Sequence, residues 1–293
     1  MNFLSQIING LSIGSIYALV ALGYSMVYGI VNLINFAHGD IIMVGAFMIY
    51  LAMVMSGMNL WVAIIFAIIM CVVFGILIER IAYRRLLKKE VARISLLITA
   101  IGVSIFLQNF FQMLFTSTAK NIPNLFPGEN IHIGALQIGN VTMITIITTL
   151  VLMVLLQILV KKTKIGKAMR ATSEDPGASK LMGINSNVTI AFTFGLGSAL
   201  AAVAAVLYCA TYPLITPYIG SMLGLKAFVA AVLGGIGSIP GAILGGLILG
   251  VCEALTKAVG LSQIADAVVF ALLIIVLLVK PSGFLGKSTR EKV

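Results

Sequence analysis

Charged side chains are scarce in this 293-residue sequence. Asp, Glu, Lys and Arg together make up 10% of it, whereas 60% of the residues are hydrophobic and the mean hydropathy is +1.13. Soluble domains carry about 25% charged residues, so a water-soluble fold could not cover this much apolar surface. The low charge therefore excludes a soluble globular domain and indicates a membrane protein.

Cysteine, histidine and acidic residues are also few. The three cysteines, Cys71, Cys209 and Cys252, lie within apolar stretches without metal-ligand spacing, so we interpret them as small buried side chains. No second aspartate deep within an apolar stretch and no serine–histidine pair accompany His38 and Asp40, since Asp266 lies near the end of its stretch. We therefore expect no enzymatic activity, no cofactor and no metal site.

Long apolar runs dominate the sequence instead. A helix needs about 20 apolar residues to cross about 30 Å of hydrocarbon, and continuous runs of this kind exclude a membrane β-barrel. The runs occupy 3–31, 40–56, 60–78, 94–116, 141–160, 188–211, 220–236, 239–257 and 264–280. The sequence thus predicts an all-α, polytopic protein with a single transmembrane domain over 1–293. We expect eight or nine spans, because the glycine-rich segment 219–246 can form two short spans or a re-entrant pair.

The basic residues predict the orientation. Of the 19, six lie between Arg80 and Arg93, six between Lys161 and Lys180, and four from Lys280 onward. Clustering in short segments between apolar runs is the positive-inside pattern, so these segments should face the cytoplasm, including the tail 280–293. This distribution also argues against nucleic acid as a partner. No basic residue precedes the first apolar run, so we expect that run to remain as a helix rather than be removed as a signal peptide.

The segment 161–187 contains the signals of a short cytoplasmic helix. Asp175 is a good N-cap, Pro176 suits the first helical position and Gly183 can close the helix with a positive φ. One face should carry the residues spaced three and four apart, Ala178, Leu181 and Met182. Two interpretations remain open, a capped surface helix between spans or a projection that docks in a groove on a soluble partner.

Polar residues in or beside the apolar runs are candidates for a substrate pathway. Asn35, His38 and Asp40 follow the first run, where they can form a turn at the membrane interface or line a pathway.

Glu253 and Lys257 are spaced to pair with each other on one helix.

A second polar group, Gln108, Asn109 and Gln112, lies within the fourth apolar run. These amides can form hydrogen bonds between helices. They can also line an aqueous path for a zwitterion, because an uncharged amide bonds both ammonium and carboxylate groups.

Several motifs, taken together and in order, resemble a known family. They are NFAHGD at 35–40, IFLQN at 105–109, GKAMRA at 166–171, PYIG at 217–220 and GGIGSIPGA at 234–242. The sequence resembles the H-type permease subunit of the high-affinity branched-chain amino acid importers over essentially its whole length.

The resemblance implies a multi-pass subunit of an ATP-driven ABC importer in the bacterial inner membrane. The implied substrates are leucine, isoleucine and valine, and the implied partners are a paralogous M-type permease, two cytosolic ATPases, a periplasmic amino-acid-binding protein and membrane lipid. Segment 176–183 matches the coupling helix that such permeases present to the ATPases. The strict Glu-Ala-Ala motif of other importers is missing, and 169–184 matches the looser form.

Within that coupling region, the residues expected to serve ATPase contact are Gly166, Arg170, Asp175, Pro176, Ala178, Leu181 and Gly183. Two alternatives to this function remain. One is a permease for another amino acid or small solute, and the other is a secondary transporter that works without ATPases.

Overall fold

The computed structural model describes residues 3–31, 33–89, 91–133 and 136–286. These ranges contain α1 (Phe3–Val31), α2 (Ala37–Tyr50), α3 (Leu60–Ile78), α4 (Arg84–Lys88), α5 (Arg93–Phe115), α6 (Asn140–Lys162), α7 (Lys164–Glu174), α8 (Pro176–Leu181), α9 (Ser186–Thr211), α10 (Ile219–Gly234), α11 (Ile239–Ala258) and α12 (Ala265–Val279). A π-helical turn, Leu51–Met55, extends α2, another, Glu79–Tyr83, joins α3 to α4, and the 3-10 turn Ser262–Ile264 precedes α12. The tail beyond Gly286 lies outside the described residues.

The predicted all-α membrane architecture is confirmed. Among the described residues, eight helices are long and apolar enough to cross a membrane. Seven of them match the predicted runs within a few residues, and the eighth, which begins at Leu60, continues as far as Lys88. The remaining run, 220–236, corresponds to α10, which has 16 residues. At 1.5 Å per residue it is about 24 Å long, which is shorter than the hydrocarbon layer.

Polar caps set several helix starts. The Asn59 side chain accepts a hydrogen bond from the Val62 amide at 2.9 Å before α3, and the Ser238 side chain accepts from the Gly241 amide before α11. Such caps satisfy backbone N–H groups that have no partner within the helix. They explain why the chain turns at these residues although the flanking sequence is almost entirely apolar.

The core is built on α1, which packs along α11 through facing glycines. A Cβ atom added at Gly246 would lie 2.6 Å from the Ala18 Cα, and one added at Gly14 would lie 2.8 Å from the Gly246 carbonyl oxygen. Only glycine permits this backbone approach, which is a common basis of helix packing in membranes. α2 and α9 complete the buried centre, while α3, α5, α6 and α12 expose many apolar side chains.

One end of the bundle gathers the basic segments, and we call it the basic end. There, α10 and α11 meet in a tight turn with positive φ at Gly235 and Gly237, of 104° and 87°. The chain after α12 pairs with this turn, since the Phe284 and Leu285 amides donate to the Leu233 and Gly234 carbonyls, each at 2.9 Å. The glycine-rich segment 219–246 is therefore two helices joined by a turn at the basic end.

The opposite end carries short strands that the sequence did not predict. β1 (Lys120–Asn121) pairs antiparallel with β4 (Leu214–Ile215), and β2 (Ile131–Ile133) pairs with β3 (Leu136–Ile138). Strands of two or three residues are too short to show an alternating pattern in the sequence. The β1–β4 pair joins the end of α5 to the chain that leads into α10.

Candidate functional site

Asp40 lies at the centre of a polar cluster that joins three helices. Its carboxylate Oδ1 accepts a hydrogen bond from Gln108 Nε2 at 3.0 Å, and the same amide nitrogen is 3.1 Å from both Ser221 Oγ and Ser104 Oγ. Asp40 is 1% exposed, in the first turn of α2. The cluster therefore links α2, α5 and the start of α10 deep within the protein.

Glycines allow α2 and α10 to approach closely beside this cluster. A Cβ atom at Gly39 would lie 2.6 Å from the Gly220 carbonyl oxygen, and one at Gly224 would lie 2.7 Å from the Gly39 Cα. Any larger side chain at these positions would push α10 away from Asp40. The motif NFAHGD at 35–40 and the PYIG motif at 217–220 thus meet in the fold.

Asn35 and His38 are buried on either side of the same turn. The Tyr83 hydroxyl donates to Asn35 Oδ1 at 2.7 Å, and the His38 ring packs edge-on against Tyr24 with centroids 4.9 Å apart. Asn35 and His38 are 4% and 2% exposed, so the residues lie inside the bundle rather than in a solvated interface turn. Among the described residues, His38 Nε2 and Asp40 Oδ2 have no hydrogen-bond partner.

The three amide side chains of α5 have different hydrogen-bond partners. Gln112 Oε1 accepts from the Tyr218 hydroxyl at 2.8 Å, so it also reaches the segment that leads into α10. Asn109 is exposed on another face, where its Nδ2 donates to the Ile105 carbonyl of its own helix at 2.8 Å. The structure therefore brings Gln108 and Gln112 towards α10 and leaves Asn109 apart from the cluster.

The predicted short helix in segment 161–187 is confirmed as α8. Asp175 Oδ1 accepts hydrogen bonds from the amides of Gly177 and Ala178 at 2.7 and 3.0 Å, Pro176 is the first helical residue and Gly183 has a φ of 82°. The expected apolar face does not pack within this chain. Ala178 is exposed, and Leu181 and Met182 are 90% and 83% exposed at the basic end.

A second helix, α7, lies in the same segment and was not predicted from the sequence. Thr163 could have indicated the start of this helix, because threonine is a common N-cap residue. Its hydroxyl caps α7 by accepting a hydrogen bond from the Gly166 amide at 3.0 Å. Met169 is buried, and Arg170 donates to the Val160 carbonyl at the end of α6 at 2.7 Å. A Cβ atom at Gly166 would clash with the backbone of Val160, so α7 is held tightly against α6.

α7 also contacts the core. Met169 and Arg170 border a small cavity of about 100 Å³ together with Met26, Gly29 and Gly237. These residues belong to the end of α1 and to the turn between α10 and α11. Segment 161–187 thus contacts the end of α1 and the turn that leads into α11, the two helices that pack through glycines in the core.

A charged network connects α10, α11 and α12. Lys257 Nζ lies 2.7 Å from Glu253 Oε1, which confirms the predicted pair on one helix. Lys226 Nζ lies 3.0 Å from Glu253 and 2.7 Å from Asp266, and Tyr17 donates to Glu253 Oε2 at 2.7 Å. The two ion pairs of Lys226 were not predicted, since its partners are 27 and 40 residues away in the chain.

These features define a polytopic membrane permease: a bundle of apolar helices with buried polar contacts around a short central helix and an exposed helical projection at one end. Residues 6–277 match the profile of the branched-chain amino acid transport system permease component. The chain belongs to this family.

Curated relatives match along nearly the whole chain. The high-affinity branched-chain amino acid transport system permease protein LivH of Salmonella typhimurium strain LT2 is 47% identical, with 99% of this chain and 98% of the relative covered. BraD of Pseudomonas aeruginosa, which carries the same description, is 46% identical over 100% of this chain and 98% of its own length.

A solved structure, PsaBC from Streptococcus pneumoniae in complex with Fab, has a related fold. The TM-score is 0.51 at 16% identity, and the match covers 96% of this chain and 93% of that one. At this low identity the likeness concerns the fold alone.

Proposed function

We propose that this chain is the transmembrane permease subunit of an ATP-driven importer for the branched-chain amino acids leucine, isoleucine and valine. The observation that carries the proposal is the 47% identity to LivH over 99% of this chain. The exposed helix α8 supports the ATP-driven part, because the apolar residues Leu181 and Met182 at its end are almost fully exposed within the described part of the chain.

In this proposal α8 docks in a groove on one of the two cytosolic ATPases, and α7 transmits the movement. α7 bears on the ends of α1 and of the α10–α11 turn, as Met169 and Arg170 show by bordering a cavity with Gly29 and Gly237. Closure of the ATPases would therefore tilt the helices around which the core is built. Alternating access follows when α10 moves relative to α2 and α5.

The substrate pathway is proposed to run beside the start of α10. Asn35, His38, Asp40, Gln108 and Gln112 lie on the elements that surround this short helix, and neutral amides can solvate both ends of a zwitterion without trapping either. Asn109 has no support as a pathway residue, because it is exposed and bonded to its own helix. Gln108 already bonds Ser221 on α10 and Gln112 bonds Tyr218 just before it, so an additional role in holding α10 is built into the site.

The proposed assembly contains a paralogous M-type permease, two ATPases and a periplasmic amino-acid-binding protein. In the bacterial inner membrane the basic end would face the cytoplasm, together with the chain after α12, by the positive-inside rule. The opposite end, with its paired strands, would face the binding protein.

Affinity purification of the tagged chain in mild detergent tests this function. We expect two ATPases and a second permease to co-purify, and a Leu181→Asp variant to recover less ATPase while retaining the other permease. Val259→Asp is the matched control, since Val259 is 77% exposed at the opposite end. Recovery of the unmodified chain without any ATPase would instead favour a secondary transporter.

A further inference from the structure

A row of exposed side chains runs along the helix formed by α3, the π-helical turn 79–83 and α4. We call it the exposed row, and its first members, all large and apolar, follow one another at intervals of four residues: Trp61, Ile65, Ile69, Val73, Leu77 and Ile81. The next two positions at the same interval are Arg85 and Lys89, which are also exposed. The row therefore changes from apolar to cationic within about one helical turn at the basic end.

The apolar part of the exposed row has the length of a bilayer. Ile81 follows Trp61 by 20 residues, which is about 30 Å of helix at 1.5 Å per residue, and the hydrocarbon layer is about 30 Å thick. Trp61 is the only tryptophan of the chain, and tryptophan favours the membrane–water interface. With Trp61 at the interface opposite the basic end, Arg85 comes one turn beyond the hydrocarbon, at the depth of the lipid headgroups.

The cations at this depth are available to a ligand. We call Arg80, Arg85, Lys88 and Lys89 the cationic cluster. All four are exposed, and none has an ion pair or a hydrogen bond among the described residues. The buried carboxylate of Glu79 pairs with Arg84 instead, whose Nε donates to Glu79 Oε1 at 2.9 Å. Segment 79–93 holds six basic residues against two acidic ones, so this surface keeps an excess of positive charge.

The π-helical turn keeps the buried and the exposed positions of this helix apart. Glu79 and Tyr83, four residues apart, are both buried. Ile81 and Arg85, also four residues apart, are both exposed. The Tyr83 hydroxyl donates to Asn35 at 2.7 Å, so the turn that presents the cationic cluster outwards also holds Asn35 inside the bundle.

An anionic phospholipid complements both kinds of side chain at this place. Ile81 is 72% exposed next to the cations, and α5, which contacts the π-helical turn, exposes Ile94 and Ile98 in its first turns. A soluble phosphate could bind the cations but would leave these apolar side chains uncovered. The exposed row also continues without interruption towards the hydrocarbon, which a cytosolic protein does not reach. Clusters of lysine and arginine beside a membrane helix recognise anionic lipids in this way.

We propose that the cationic cluster and the adjoining part of the exposed row form a binding site for an anionic phospholipid. The arginine and lysine N–H groups donate to the phosphate oxygens, as charge-assisted hydrogen bonds. The acyl chains lie along Leu77 and Ile81. Because Tyr83 in the same turn bonds Asn35, a bound lipid fixes the depth of the element that holds this residue.

Photocrosslinking in the purified complete complex tests the site. The probe is phosphatidylglycerol with a diazirine near the carboxyl end of one acyl chain, and mass spectrometry of peptides locates the label. We expect labelling of segment 77–98. Unlabelled phosphatidylglycerol should suppress it, whereas phosphatidylcholine and glycerol 3-phosphate at the same concentration should not.

Substitutions at Arg85 measure the contribution of charge. Arg85→Gln should weaken labelling of this segment about fivefold at limiting probe, since one basic residue near an anionic surface contributes about this factor. Arg85→Lys keeps the charge and should retain most of the labelling. Lys180→Gln is the matched control, because Lys180 is an exposed cation at the basic end but lies on α8. The three variants should have equal melting temperatures, since the substituted side chains are exposed.

Three results would overturn the site. The first is equal labelling of segment 77–98 by a phosphatidylcholine probe with the same diazirine. The second is full displacement of the probe by glycerol 3-phosphate, which would make the cluster a site for a soluble phosphate. The third is unchanged labelling in Arg85→Gln, and a loss of ATPase from that variant would then assign the cluster to a protein contact.

Discussion

Gln108 on α5 donates a hydrogen bond of 3.0 Å to the buried carboxylate of Asp40 on α2. The same amide nitrogen lies 3.1 Å from the Ser221 hydroxyl on α10. The Gln108 side chain thus connects α2 and α5 with α10, the helix whose movement the proposed mechanism requires. The contact gives Gln108 a structural role that can be separated experimentally from contact with substrate.

Replacing Gln108 with Leu should destabilise the purified complex. The change keeps the approximate volume but leaves the buried Asp40 carboxylate without this donor, which costs about 1–3 kcal/mol or more. A fall in the melting temperature of several degrees should follow. Asn109→Leu is the matched control, because the neighbouring amide is exposed and bonded only to its own helix.

Uptake measured on the same variants separates the two roles of Gln108. Reduced leucine uptake with an unchanged melting temperature would support direct contact with the substrate. Normal uptake with reduced stability would remove Gln108 from the pathway and leave it as a link between helices.

Gly246→Ala should prevent close packing of α1 on α11. The new methyl group would lie 2.6 Å from the Ala18 Cα, and crowding of this kind costs about 1–3 kcal/mol. Gly102→Ala should be stabilising instead, because among the described residues no atom outside the local backbone of its own helix lies within 4 Å of the added Cβ, and alanine favours a helix by up to about 1 kcal/mol. The yield of folded protein in detergent and the melting temperature measure the stability of both variants. An equal loss of stability in Gly246→Ala and Gly102→Ala would show that close packing at Gly246 is not the cause.

Asp175→Ala should uncouple ATP hydrolysis from uptake while the protein stays in the membrane. The substitution removes two hydrogen bonds that cap α8, each from a backbone amide, and an N-cap is worth about 1 kcal/mol. Gly183→Val should act at the other end, since a β-branched residue is strained at a φ of 82°. Unchanged leucine uptake and unchanged substrate-stimulated ATPase activity in both variants would show that α8 is not the coupling element.

The orientation can be tested with single cysteines in a background without the native three. Cysteines at Lys88 and Lys164, at the basic end, should resist an impermeant thiol reagent added to intact cells. One at Asn124, in the segment between α5 and α6, should react. Ser288 is a further cytoplasmic position by sequence, although it lies outside the described residues. Labelling of position 164 from outside would reverse the topology.

Helix positions were largely predictable because each span carries its signal locally. The run at 94–116 became α5, Arg93–Phe115, and the cap signals at Asp175 and Gly183 located α8. Both depend on neighbours in the sequence. The exception, α7, has a polar cap and a mixed composition that resembled a loop.

The contacts between helices could not be predicted in the same way. Lys226 meets Glu253 and Asp266 only because α10, α11 and α12 pack side by side, and nothing near Lys226 in the sequence indicates its partners. Helical spacing places Gln108 and Gln112 one turn apart and Asn109 on the adjacent face, but it does not indicate that the Gln108 face meets Asp40 while Asn109 bonds its own helix. Packing angles decide such contacts, and they depend on the whole bundle.

The most direct test of the proposed importer is leucine uptake into proteoliposomes that contain the purified complex, with the binding protein outside and the nucleotide inside. We predict accumulation of labelled leucine with enclosed ATP, no accumulation with a non-hydrolysable analogue, and competition by isoleucine and valine. Accumulation driven by an ion gradient without nucleotide, or ATP-dependent uptake that none of the three amino acids affects, would contradict the account.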